Sequence, residues 1–468
     1  MKKNTITNKI QFDVWSIFLL LSLFVLQLFF LNGFYLFVGL SLLVLVVYHL
    51  QIPYKPTIFS LLFIYHLFQI MSGVWLSNFL NKDINYRSEF LGDATLYSYL
   101  GLLMMMLPVL YFQKRIPSFD FKKIKNYSEK ISIQRTFELY VVMFFIVNLL
   151  DVLAFRFSGL TQIIVSIKNF KWFFFTLFGL QVILKRKMIE HFVIVFFLEF
   201  ALGFFSYFSD FKIVFFYSIL IALFFLVRIN IKQIIFCVIL GIGLFYLGVK
   251  WTAVKGEYRS FLNQGSKSQE IVVDKNAAFN KLLELSDNQS DFNVSAAQFF
   301  DRVQYTYHLA KTMERVPSVI PYQQGSNWAT IIGYVLTPRF INPDKEVNQP
   351  SAKATKYTGI AYLGIQSGVS FSLGYFADCY IDFGYWGMLL PLLILGLIYG
   401  KSYHYFATQS TPNYLINFAF VTSLFMELIP FESDGTYLAG RLLSNLLTFY
   451  LFKVFLFPSV YNYLVKKN

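Results

Sequence analysis

Charge is what this chain has least of. Asp, Glu, Lys and Arg together supply only 14% of 468 residues, against about 25% in a soluble globular domain. That shortfall excludes an ordinary water-soluble fold. Cysteine is nearly missing as well: Cys237 and Cys379 lie far apart in apolar surroundings, which provides neither a disulfide framework nor a metal site. Nor is a cleavable leader expected. The basic start MKKNTITNK runs into an apolar stretch too long for a leader's apolar core and without a small-residue cleavage site. The first segment therefore reads as a retained transmembrane helix.

What is present is grease. The chain is 56% hydrophobic, with a mean hydropathy of +0.55. A bilayer core about 30 Å thick needs about 20 apolar residues per helix, and runs of that kind recur from residue 14 to residue 457. The expected fold is all-α: a polytopic helical membrane protein with about twelve transmembrane helices. The spans fall near 14–32, 34–50, 57–75, 96–113, 137–155, 171–184, 191–208, 212–227, 233–250, 383–400, 413–430 and 441–457. The sixth is short, and residues 159–168 before it read as a surface helix or a re-entrant segment.

The net charge of +14 is explained without nucleic acid, because Lys and Arg collect in cytoplasmic loops. Alternate loops carry Lys55, the basic 114–136 segment, Lys185-Arg186-Lys187, Arg228 with Lys232, and Lys401. The termini, with Lys2, Lys3, Lys466 and Lys467, fall on the same side. Both termini are expected in the cytoplasm, and the longest polar break outside it. The expected organisation is an N-terminal membrane bundle over 1–250, an extracytoplasmic loop over 251–372 and a C-terminal bundle over 373–468. Loops of such length are usually functional or disordered.

Within that loop, residues 255–291 read as a flexible polar entry. Residues 295–316, SAAQFFDRVQYTYHLAKTMERV, show helical periodicity with a capping-box start at Ser295 and Gln298 and a stop at Pro317. One face carries Asp301, Arg302, Tyr305, His308, Lys311, Thr312 and Arg315. It suits either an interfacial helix on lipid headgroups or an anion held by Arg302 and Arg315, since guanidinium binds phosphate with two bonds at once. Residues 334–346, YVLTPRFINPDKE, set Arg339 and Lys345 on backbone stiffened by Pro338 and Pro343; a solvated charged loop is the plainer alternative.

Further on, Asp378 and Asp382 stand one turn apart if that segment is helical, and carboxylates at the edge of an apolar span are functional candidates. Pairing with a loop arginine is the structural alternative. Glu427, Glu432, Asp434 and Arg441 cluster between the last two spans, Asp151 and Glu199 lie within spans, and His66 is expected to pack on a polar neighbour.

The late outer loop, 338-PRFINPDK-345 and 374-GYFADCYIDFGYWG-387 together resemble bacterial oligosaccharide repeat-unit polymerases, the O-antigen (Wzy-type) polymerases. The resemblance implies a bundle like that of GT-C membrane glycosyltransferases in the bacterial inner membrane, and a transferase needing neither metal nor cofactor. Its substrate would be an undecaprenyl-pyrophosphate-linked oligosaccharide, with a chain-length regulator and a flippase as candidate partners. Arg302, Arg315 and Arg339 match the family's pyrophosphate-binding loop arginines, and Lys345 and Arg441 are further candidate cations. Asp378, Asp382 and His308 are the candidates for accepting the acceptor's proton. An O-antigen ligase and a lipid-linked sugar transporter remain alternatives.

Overall fold

Inside a bilayer the backbone has no water to bond, so an apolar chain satisfies its peptide groups within helices. The computed structural model describes residues 9–156, 161–204, 211–265, 272–287, 291–337, 342, 344–362, 370–429 and 432–465. Those residues are overwhelmingly helical. The first helices are α1 (Val14–Gln27), α2 (Gly33–Leu50), α3 (Ile58–Phe79), α4 (Leu91–Lys114), α5 (Phe121–Glu129) and α6 (Ile133–Arg156). Then follow α7 (Thr161–Lys185), α8 (Ile189–Phe204), α9 (Lys212–Phe224), α10 (Ile231–Leu262) and α11 (Lys275–Asp287). A set of short helices comes next: α12 (Phe292–Val303), α13 (Thr306–Arg315), α14 (Ser326–Leu336) and α15 (Pro350–Thr358). The last are α16 (Tyr375–Gly387), α17 (Leu389–Gln409), α18 (Tyr414–Phe425), α19 (Gly435–Leu451) and α20 (Phe457–Leu464). Two short strands, β1 (Gln11–Phe12) and β2 (Arg228–Ile229), pair in parallel.

Among the described residues, seven helices are long and apolar enough to cross a membrane. They are α2, α3, α4, α6, α7, α10 and the run Gly435–Leu464; α16 and α17 together make an eighth if their 117° bend lies within one span. This is a helical membrane protein.

The bundle is tightest where α17 lies on α4. A Cβ on Gly396 would sit 2.4 Å from the Met105 carbonyl oxygen, and one on Gly400 2.8 Å from that of Pro108. Small residues at such crossings let backbones touch, which is how helices hold together where lipid is as apolar as the partner. Charge inside the bundle is satisfied on the spot: Lys171 bonds Glu199 at 2.7 Å, and the Tyr140 hydroxyl donates to the other Glu199 oxygen at 2.6 Å. His66 is buried, with Nε2 2.7 Å from the Tyr375 hydroxyl, the polar neighbour expected of it.

One end of the bundle gathers the basic loops. The Lys185 ammonium donates to the Ile131 carbonyl at 2.5 Å, Arg135 to the carbonyls of Tyr463 and Val465, and Asn413 to that of Tyr127. Tyr54 and Gln51 bond the backbone at Phe224 and Leu223. The loops expected to share a side thus do share an end. Helices α12 to α15 follow from the other end of α10, packing on α3, α4, α16 and α19.

Three expectations need correcting. Residues 161–168 are the first turns of one long α7, not a separate surface or re-entrant piece. Its polar residues are tolerated inside because they bond across the bundle, as Asn169 does to Asn445 at 3.4 Å. The supposed flexible entry begins as about two more turns of α10, to Leu262, and continues as α11; Tyr258 and Leu262 pack on Ala278 and Leu285. The single helix over 295–316 is two. Asp291 caps the first by accepting from Asn293 N–H at 2.8 Å, and Gln304 is extended (φ −70°, ψ 132°), which breaks the helix before Thr306. The break shifts the helical phase, so His308 and Thr312 turn inward instead of lying on one polar face.

Candidate functional site

Helix α16 is the axis of the site. It starts after Gly374 (φ 82°) and is broken near its end by Gly384 (φ 69°, ψ −163°), a conformation that requires glycine. The Tyr322 ring packs against that glycine, its Cζ 2.8 Å from where a Cβ would lie. The bend lets α16 run through the interior before the chain turns into α17. Consequently Asp378 and Asp382, one turn apart, are both buried, at 0% and 1% exposure.

Asp378 is the hub. One oxygen forms an ion pair with Lys353 of α15, and the other accepts the Gly435 N–H at 2.7 Å at the start of α19. Gly435 is needed there, since a Cβ would meet Asp378 Oδ2 at 3.0 Å and Trp328 at 3.2 Å. The neighbouring Asp434 caps α19 through Tyr437 N–H at 2.8 Å and accepts from Asn348 at 3.4 Å. Burial first, and then the Asp378 carboxylate, hold the Asp434 carboxyl above its ordinary range. Burial pulls Lys353 down, but Asp378 outweighs it and the ammonium is held above its usual value. The half-buried Lys353 ammonium thus pairs with Asp378 and acts through its charge on Asp434. The loop cation on Asp378 is a lysine, where the pairing alternative named an arginine.

Asp382 does something different. Its two oxygens accept the N–H groups of Asn327 at 3.0 Å and Trp328 at 2.8 Å, in the first turn of α14. At the other end of α14, Lys345 donates to the carbonyls of Tyr334 and Thr337, the second at 2.9 Å, and lies 3.6 Å over the Tyr334 ring. An anion at the amino end and a cation at the carboxyl end complement the helix dipole. Both candidates from the sequence therefore clamp one helix, and that helix leads directly into Arg339, which lies outside the described residues.

The remaining candidates are dispersed around this hub. Arg315 donates from Nε to the Lys356 carbonyl at 3.0 Å and lies against Gly359 (φ 74°), tying α13 to α15. His308 sits among Tyr305, Tyr307, Tyr362 and Phe371, with Nδ1 2.8 Å from the Tyr362 hydroxyl. Burial pushes its imidazole down to about 4, so it is neutral near pH 7. Arg302 is exposed, close to Lys255. Arg441 points to the Glu427 carbonyl at 3.5 Å, on the helix that Asp434 caps. The Asp151 side chain lies outside the described ones.

Lys353 and Asp434 are the residues that the sequence undersold. Asp434 was visible only as one member of a charged cluster between the last two spans, and no pattern in the sequence singled out Lys353. The signal that joins them is the apolar surroundings of Asp378, which demand a cation from somewhere.

A family model described as a domain of unknown function (DUF8712) matches residues 87–428, and the chain belongs to that family. The match takes in α12 to α16 and stops short of Asp434. No curated protein and no solved structure matches the chain.

Proposed function

We propose that this DUF8712 protein is a membrane glycosyltransferase that joins lipid-pyrophosphate-linked oligosaccharide units into a polymer. The observation that carries the reading is the pair of buried carboxylates, Asp378 and Asp434, beside the half-buried Lys353 at the junction of loop helices and spans. In this reading Asp434, or Asp378 acting with it, takes the proton from the acceptor hydroxyl as that oxygen attacks the anomeric carbon. The lipid pyrophosphate leaves, and cations of the loop, Arg339 foremost, stabilise its developing charge. Asp382, Lys345 and Arg315 position the backbone from which those cations project. His308, neutral and hydrogen-bonded to Tyr362, is the weaker base candidate.

The finer architecture belongs to the same proposal. It includes about twelve spans of GT-C type, counting the shorter apolar helices. The basic end with both termini faces the cytoplasm, and α12 to α15 face outward from the inner membrane. A buried Lys171–Glu199 pair within the bundle favours a transporter as the second reading, because such pairs also line proton and substrate paths.

Deleting the gene and sizing the surface glycan separates the two. A polymerase deletion leaves single repeat units outside the membrane, a transporter deletion leaves them inside, and fully polymerised glycan refutes both. Arg339→Ala is expected to abolish extension while the protein still inserts; wild-type chain lengths in that variant would remove Arg339 from the pyrophosphate site.

A further inference from the structure

The two carboxylates on which the transfer reading rests are closed off. Asp378 and Asp434 are 0% and 2% exposed, whereas a proton acceptor has to come within about 2.6–3.2 Å of the hydroxyl it serves. The groups that now occupy their surroundings come from two sources. Gly435 and Tyr437 supply backbone N–H groups, at 2.7 and 2.8 Å, from the first turn of α19, and these are fixed by the helix. The Lys353 ammonium on Asp378 and the Asn348 amide, 3.4 Å from Asp434, are side chains of one short stretch, α15 and the residues just before it.

That stretch is held differently from its neighbours. Helix α15 is nine residues long, opened by Pro350 and ended by Gly359 (φ 74°). Its buried residues are Pro350, Ser351, Ala354, Tyr357 and Thr358, so Tyr357 is the one large apolar side chain among them. The buried residues of α16 include Tyr375, Phe376, Cys379, Tyr380 and Ile381. Elements with few buried apolar contacts open locally at low cost, while densely packed ones open only with the whole fold. What keeps α15 down is polar: Lys353 and Asn348 on the carboxylates, and the Phe371 N–H donating to Ser351 Oγ at 2.8 Å. Toward its other end Arg315 donates to the Lys356 carbonyl at 3.0 Å and lies against Gly359. That end serves as a pivot, and Lys353 with Asn348 as a latch.

We propose that α15 is a lid over Asp378 and Asp434, latched by Lys353 and Asn348 and swinging about its Arg315 end, and that the acceptor sugar reaches the carboxylates only when the lid lifts. The lid rests on the reading of those carboxylates as the proton acceptors. Lifting it withdraws the ammonium that answers the Asp378 charge. The two carboxylates then act on each other alone, and like charges raise the affinity of one of them for a proton. Opening thus exposes the pair and readies it in a single movement.

The test uses the full chain in phosphatidylcholine nanodiscs, carrying Ser351→Cys, which sets a thiol on the buried face of α15. A water-soluble maleimide is added, and the labelled peptides are quantified by mass spectrometry. Lys353→Gln with Asn348→Ala is expected to speed labelling at residue 351 at least about 10-fold, as for loss of a hydrogen bond to a charged group. Lys353→Met with Asp378→Asn strands no charge, guards against misfolding, and is expected to speed labelling as well. Lys311→Gln, which breaks the pair with Glu314 on α13, is expected to leave the rate unchanged. The native Cys379, buried on α16 against Trp328 of α14, is expected to stay unlabelled throughout. Unchanged labelling at residue 351 in both latch variants refutes the lid, and so does labelling of Cys379 in step with it, which means that the whole region has loosened. Because labelling is read without turnover, a deletion strain that keeps its full-length glycan would overturn the polymerase reading and leave a measured opening intact.

Discussion

The Lys353 ammonium and the Asp378 carboxylate form an ion pair that water does not reach at the carboxylate, joining a loop helix to the helix that re-enters the bundle. Removing one partner strands the other, which costs about 3–5 kcal/mol in buried pairs, whereas replacing both with neutral groups is often nearly free. Lys353→Met and Asp378→Asn are each expected to lower the thermal midpoint sharply in detergent. The double variant is expected to recover most of that stability and still make no polymer. Recovery of polymer along with stability would reduce the pair to a structural role.

Asp382 and Lys345 act on the same helix from opposite ends, so their substitutions differ in size. Asp382→Ala leaves the N–H groups of Asn327 and Trp328 without their acceptor, each worth about 1–3 kcal/mol when buried. Lys345→Met removes a dipole partner and two carbonyl contacts at a more exposed end, worth about 0.3–1 kcal/mol. Hydrogen exchange over residues 326–337 is expected to quicken strongly in the first variant and slightly in the second. Equal protection in both would argue that α14 is held by its apolar contacts instead.

Much of this was legible in residue patterns, and the failures have specific causes. The run lengths of α2, α3 and α4 announce spans because lipid demands continuous apolar helix. The pairing of basic loops at one end follows from charge alone. Helix α10 was cut short at 250 because apolar content ends there, although helical geometry does not; Lys255 and Arg259 are compatible with helix and simply leave the lipid. The break at Gln304 could not be read because the apolar period runs on across it. Asp378 and Asp382 look equivalent in sequence, one turn apart. Their partners, Lys353 and the start of α14, come from distant segments, and only tertiary placement assigns one to an ion pair and the other to a helix cap.

Gly384 carries the bend that buries both aspartates. Its φ of 69° with ψ of −163° lies in a region essentially restricted to glycine, at a cost of about 1–3 kcal/mol for other residues. The added methyl would also strike the Tyr322 ring. Gly384→Ala is therefore expected to yield little monodisperse protein. Tyr322→Ala in that background relieves the collision but not the backbone strain, so only partial recovery is expected. Full recovery would show that sterics alone make glycine necessary.

His308 predicts a pH dependence whose sign follows from its burial. An unfolded chain protonates its imidazole below about pH 6.5, while in the folded protein burial lowers that value to about 4. Between those two values the unfolded state binds more protons, so stability rises with pH and falls as the solution is acidified from 6.5 toward 4. Over the whole window the effect is about 3 kcal/mol at most. His308→Phe keeps the ring among Tyr305, Tyr362 and Phe371 but removes the titration, at the cost of the bond to Tyr362. The stability advantage of wild type over this variant is expected to shrink as pH drops from 7 to 4.5, measured as thermal midpoints in one detergent. A constant difference would mean that the imidazole titrates as freely in the folded protein as in the unfolded chain. It would also reopen His308 as a proton acceptor near neutral pH.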